Sequence, residues 1–239
     1  LVIPTAQPST MPTVTAAIQK LREQAVVFGI FQEDSLERLP RSTRILLCPT
    51  ALRSETVRML KQRGLEIRTD PATWSAGLPH LDLQHSGKVR GTVLPTSTGM
   101  LYTLQSSQGP AVITLNTGQQ AISLGVNPYG LIHRTEAGVT LAETAGKLRI
   151  HGQEVAEISS GRILLASSDG LPLEKAPVLR LLVTEPAEVT FSRPIAAVRA
   201  FDPGGPSGGF PVEFSGGHRL HVDSELARYE LRVEFGKQR

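Results

Sequence analysis

The hydrophobic positions follow two different rhythms, and the change of rhythm divides the chain. From Thr13 to Gln24 the apolar residues Val14, Ala17, Ile18 and Leu21 recur at spacings of three and four, with Lys20, Arg22 and Glu23 opposite them, which predicts an amphipathic helix. Ala25 to Phe31 is a continuous β-rich run, the pattern of a strand covered on both faces. A second such run, Arg44-Ile45-Leu46-Leu47-Cys48, ends at Pro49. Helical spacing then returns at Leu52, Thr56, Met59 and Leu60, with Ser54 and Glu55 in the opening turn and Gly64 just past the end. Leu65 to Arg68 is a third short run. Strand, helix and strand in this order predict a parallel βαβ unit with a right-handed crossover.

After Asp70-Pro71 the helical period is gone. Short apolar runs follow one another from Val89 to Phe235, with Gly, Asn, Pro, Ser or Asp between nearly all of them. That predicts an antiparallel β-sandwich of jelly-roll type. Tyr229, Leu231, Val233 and Phe235 alternate with Glu230, Arg232 and Glu234, so the last strand should have one wet face. Arg162 to Leu173 reads as a buried strand entering a tight turn at Ser167-Ser168-Asp169-Gly170, and Val178 to Val183 as the strand that returns. The expected organisation is α+β: an extended, proline-bearing arm over 1–12, a partial parallel α/β module over 13–75, and one or two sandwiches over 76–239.

Composition narrows the function. The chain has 239 residues and a formal charge of +3, with basic residues scattered along it, which argues against a nucleic-acid footprint despite a pI near 9.2. No apolar run approaches the about 20 residues that span a bilayer. The one cysteine, Cys48, excludes an internal disulfide and leaves the compartment undecided; it reads as a buried, inert thiol. The chain opens Leu1-Val2-Ile3-Pro4, which suggests a processed product or a piece of a longer polypeptide.

Candidate chemistry is sparse. Glu33 and Asp34 follow an apolar run, where α/β sites tend to lie, and are the best carboxylate pair for acid and base chemistry, although adjacent side chains usually point apart. His218 and His221 are three apart, which in a strand places them on opposite faces, and His80 and His85 flank Asp82 between the two regions; no metal site or cofactor is expected. Asp202 to Gly209 lacks the Lys-Ser/Thr and the following helix of a phosphate loop and reads as a flexible connection. A ligand ring face would need an aromatic platform with a few placed polar groups, and Trp74, Tyr102 and Tyr129 are the candidates, Trp74 first because it lies in a Pro/Gly-rich loop; that the ligand is a carbohydrate is implied by the resemblance that follows.

Two stretches resemble a known family. Ser97-Thr98-Gly99-Met100-Leu101-Tyr102, then Gly109 to Leu115, then Asn116-Thr117 with Gln119-Gln120-Ala121 and Gly125, is similar to a stretch in the C-terminal regions of bacterial TIM-barrel glycoside hydrolases of β-galactosidase-like type. Ile163 to Leu173, followed by Leu179-Arg180-Leu181-Leu182, resembles a second signature of those regions, and the βαβ piece resembles the end of their flavodoxin-like domain. The resemblance implies a noncatalytic accessory region that supports or oligomerises a catalytic barrel. A barrel alone takes about 250 residues, so the barrel would lie outside this sequence, in cis or in trans. Its other implied partners are oligosaccharide and further copies of the chain. Two alternatives stay open, an independent carbohydrate-binding or adhesion module and a small hydrolase with its site at the junction of the two regions.

Overall fold

The computed structural model describes residues 1–3, 10–39, 43–74, 76–83, 89–117, 120–203, 208–214 and 216–236. The first region holds β1 (Val2–Ile3), α1 (Met11–Glu23), β2 (Phe31–Gln32), β3 (Ile45–Leu47), α2 (Ser54–Gln62) and β4 (Glu66–Arg68). Helix α1 begins with Pro12 in its first turn, where a missing N–H costs nothing, and buries Val14, Ala17 and Leu21. Strands β3 and β4 pair in parallel across α2, as the spacing predicts. Gly64 follows α2 at φ +71°, a left-handed conformation that only glycine adopts without strain.

Two expectations change. Residues 1–12 are not simply an arm, because Val2–Ile3 pairs in parallel with Phe31–Gln32 and α1 takes in Met11 and Pro12, while residues 4–9 lie outside the described ones. The run Ala25–Phe31 is buried at Val26, Val27 and Gly29 but leaves Ile30 exposed, and it is not a regular strand. Ala25 leaves the helix at φ +52°, Val26 makes one isolated bridge with His80, and only Phe31 enters a ladder. Its apolar character comes from bridging two cores: Val26 packs with α1, and Val27 packs into the sandwich.

The second region opens with β5 (His80–Leu83), β6 (Val89–Pro95), β7 (Gly99–Ser106), β8 (Ala111–Asn116), β9 (Ala121–Val126) and β10 (Tyr129–Thr135). It continues through β11 (Val139–Thr144), β12 (Lys147–Ile150), β13 (Gln153–Ser160), β14 (Ile163–Ser167) and β15 (Val178–Val183). It closes with β16 (Ala187–Phe191), β17 (Ile195–Phe201), β18 (Phe210–Pro211), β19 (Arg219–Val222) and β20 (Glu230–Phe235). These strands form a nine-stranded sheet, β18-β17-β20-β15-β14-β11-β10-β7-β6, and a seven-stranded sheet, β19-β16-β13-β12-β9-β8-β5. All pairs between them are antiparallel, and one continuous apolar core fills the space between, so the region is one sandwich and not two.

Hairpins alternate between the sheets: β6-β7 in the large one, β8-β9 in the small one, β10-β11 in the large one, β12-β13 in the small one. This succession of neighbouring hairpins departs from the Greek-key crossings of the expected jelly roll. Short connections explain it, since from the end of each hairpin the facing layer can be reached without a long crossing over the sheet. The turn after β14 is built by Asp169, whose Oδ1 accepts from the Ser167 hydroxyl at 2.6 Å and the Leu171 N–H at 3.1 Å, with Gly170 at φ +75°. It is a structural turn. Phe210–Pro211 pairs with Arg199 and Ala200 at the edge of the large sheet, and Val212 N–H donates to the Val198 carbonyl at 3.0 Å.

The two regions meet along the sheet edges at β5 and β6. Val27 N–H donates to the Pro79 carbonyl at 2.8 Å, and Leu81 N–H to the Ala25 carbonyl at 2.9 Å. Gly29 lies so close to this edge that a Cβ on it would stand 2.4 Å from the Val93 carbonyl oxygen.

Candidate functional site

A cleft of about 430 Å³ opens where the α/β region meets the large sheet. Strand pairing builds one of its walls. Arg90 faces Gln105 across β6 and β7, and Gln105 faces Tyr129 across β7 and β10, so three residues distant in sequence form one outward row. Thr92 and Thr103 form part of the next row. The facing wall comes from Arg22 at the end of α1 and from Phe28 and Ile30 in the bridging segment. Tyr129 is 51% exposed. Among the described lining residues there is no carboxylate.

Of the three expected aromatic platforms, Tyr129 alone reaches this cleft with an open ring. Trp74 is 1% exposed and packs with Ala17, Leu21, Val26 and Leu47. Its loop is a short 3-10 turn, Pro71–Thr73, capped by Asp70 accepting from the Ala72 N–H at 2.9 Å, and the turn sends the indole inward. Tyr102 is 2% exposed in the sandwich core, and burial raises its phenol pKa. Neither buried ring offers a face to a sugar.

No protein-family model, curated protein or solved structure matches the chain.

Glu33 and Asp34 converge on one arginine. Glu33 Oε1 accepts from the Arg53 N–H at 2.9 Å, immediately before α2, and Asp34 Oδ1 accepts from the Arg53 guanidinium at 3.0 Å. Glu33 is buried, Asp34 exposed. Their contacts tie the polar segment to the start of α2, where negative charge is favoured. Cys48 is buried beside them, and loss of hydration pushes its thiol up to about 11.

The histidines serve other roles. His218 Nδ1 lies 2.9 Å from the Phe191 carbonyl, and His221 stands 3.6 Å from Glu188 on the surface. His85 lies outside the described residues, as do residues 204–207 of the Asp202–Gly209 loop. Among the described residues no group of three His, Cys, Asp or Glu could hold a metal ion, and no helix is long and apolar enough to cross a membrane.

One further feature was not expected from the sequence. The outward face of the large sheet carries leucines where an antiparallel sheet facing water is normally polar. Two neighbouring rows cross β6, β7, β10, β11, β14 and β15. One holds Thr92, Thr103, Leu131, Glu143, Leu164 and Leu182, and the other Leu94, Leu101, His133, Leu141, Ala166 and Arg180. Leu94 and Leu182, at the two ends, are 47% and 42% exposed. Beyond β15 the same face turns charged, with Arg180 and Arg232 both paired to Glu230.

Proposed function

We propose that this chain is the noncatalytic accessory region of a carbohydrate-active enzyme, a glycoside hydrolase of β-galactosidase-like type whose catalytic TIM barrel lies outside these residues. The outward leucine face carries the reading. It spans six strands, about 24 Å at the usual strand spacing, with Leu101, Leu131, Leu141 and Leu164 partly buried between the exposed Leu94 and Leu182, and outward apolar side chains gathered on one sheet face mark an interaction site. The barrel is its occupant. The resemblance of Ser97–Tyr102, Asn116–Gly125 and Ile163–Leu182 to the C-terminal regions of such enzymes supports the same conclusion. So does the division of labour, since both candidate carboxylates are engaged by Arg53.

The α/β piece is read as an incomplete flavodoxin-like module. Its β3-α2-β4 unit is parallel, and parallel sheets are stable only as part of larger covered assemblies. Further strands from the rest of the enzyme or from a second copy would complete it, which gives the module an oligomerising role.

Leu94→Asp combined with Leu182→Asp tests the reading, because both side chains are exposed and the chain alone should keep its melting temperature. In the enzyme containing this region the pair should lower thermal stability and detach the barrel. Unchanged stability and activity there would overturn the proposal, as would a variant that only converts a dimer of this chain to monomer.

A further inference from the structure

We propose that the cleft beside β6 binds an acidic saccharide, with Arg22 and Arg90 holding a uronate carboxylate and Tyr129 covering a sugar face. The charge pattern around the cleft leads to the ligand class. Several arginines elsewhere pair with carboxylates, Arg53 with Asp34, Arg68 with Glu66, Arg162 with Glu143, and Arg180 and Arg232 with Glu230, while Arg63, Arg193 and Arg199 donate to backbone carbonyls. Arg22 and Arg90 have no such partner among the described residues, and both line the same cleft.

The other polar groups fit the same ligand. Gln105 sits between Arg90 and Tyr129 in one outward row, so an amide that both donates and accepts lies between the cation and the ring. Thr92 and Thr103 add hydroxyls one row away. A site for a neutral sugar needs carboxylates and amides to accept from its hydroxyls, whereas this lining is rich in donors and is completed by a ligand that brings its own acceptor. The guanidinium fork matches a carboxylate in both shape and charge. A volume of about 430 Å³ falls within the range of small-ligand sites and suits one or two sugar rings. Ile30, 48% exposed, and the half-buried Phe28 give the apolar surface on which the ring's C–H faces can rest.

That the anion is carried on a sugar rests on the carbohydrate reading above; that the ligand is anionic rests on the cleft alone. Calorimetric titration of the 239-residue chain with digalacturonate, with its neutral counterpart digalactose, and with sulfate at equal ionic strength separates the two. Digalacturonate should bind, digalactose about tenfold more weakly or worse, and sulfate no better than digalactose, the difference expected of one charge-assisted contact. Arg22→Ala, Arg90→Ala and Tyr129→Ala should each weaken digalacturonate by about tenfold, while Tyr129→Phe keeps the stacking face and most of the affinity. All three positions carry exposed side chains, so the variants should melt with the parent chain. Equal binding of digalactose would overturn the acidic specificity and leave the carbohydrate reading standing. Sulfate binding as tightly as digalacturonate would show an anion site without sugar recognition. No binding of any of the three would overturn the proposal outright, whatever the leucine-face variants show.

Discussion

The sandwich and the α/β region are stabilised in different ways. In the sandwich, side chains from sixteen strands in two sheets meet in one unbroken core, and residues such as Leu104, Ile113, Leu124, Ile132 and Leu148 have almost no exposure. The α/β region instead divides its apolar residues between two small clusters, one around Leu36, Leu46 and Leu60, the other around Leu21, Val26 and Trp74. Its two sheets have two strands each. A body that small buries too little surface to stand alone, so it leans on β6 through Val27 and Gly29. The comparison implies an order of dependence, in which the sandwich folds without the α/β region but not the reverse.

Trp74 makes this dependence measurable, because the one tryptophan lies in the smaller region while most of the strand signal comes from the larger. Leu124→Ala should have the largest effect, about 3 kcal/mol or more from lost burial and the cavity left behind. Both Trp74 fluorescence and far-UV circular dichroism should then shift together to lower denaturant. Gly29→Ala should cost about 1–3 kcal/mol by driving a methyl group into the Val93 carbonyl. Here the Trp74 transition should move and the circular-dichroism transition stay close to its original midpoint; coincident shifts would mean the two regions unfold as one unit.

The smallest effect belongs to the charged end of the large sheet. The guanidiniums of Arg180 and Arg232 hold the Glu230 carboxyl below its ordinary pKa. A depressed pKa contributes stability that is present above the unfolded value, about 4.3 for Glu, and is lost as pH falls through the folded one. Glu230→Gln should therefore cost at most about 1 kcal/mol at neutral pH, and the difference from the parent chain should shrink as pH falls below about 4.3 and vanish once the folded carboxyl is protonated. A difference that persisted there would assign the effect to packing.

The same contrast explains what could be read in the sequence. Alternation exposed most sandwich strands, including β20, where Leu231 and Val233 are buried and Arg232 and Glu234 are not. Alternation is faint at β10, whose inward positions include Gly130, packed against Val126, and at β13, whose Glu and Ser residues break up its apolar run. Ala25–Phe31 misled because an apolar run can bridge two cores without entering a ladder. At the site, Tyr129 was legible as an exposed aromatic, but its neighbours Arg90 and Gln105 become a row only through pairing across three strands. Trp74 misled for a physical reason: in a small cluster the largest apolar ring is needed inside, whatever the loop composition around it. The leucine face had a faint signal in Val178–Val183, which is apolar at nearly every position although it belongs to an antiparallel sheet.

The most direct test of the accessory role is hydroxyl-radical footprinting of Leu94, Leu101, Leu131, Leu164 and Leu182, in this chain alone and in the enzyme of which we propose it is part. Covered by a barrel, these leucines should label several-fold less in the enzyme than in the isolated chain, while the charged surface around Glu230 labels equally in both. Equal labelling of the leucines in the two samples would contradict the account.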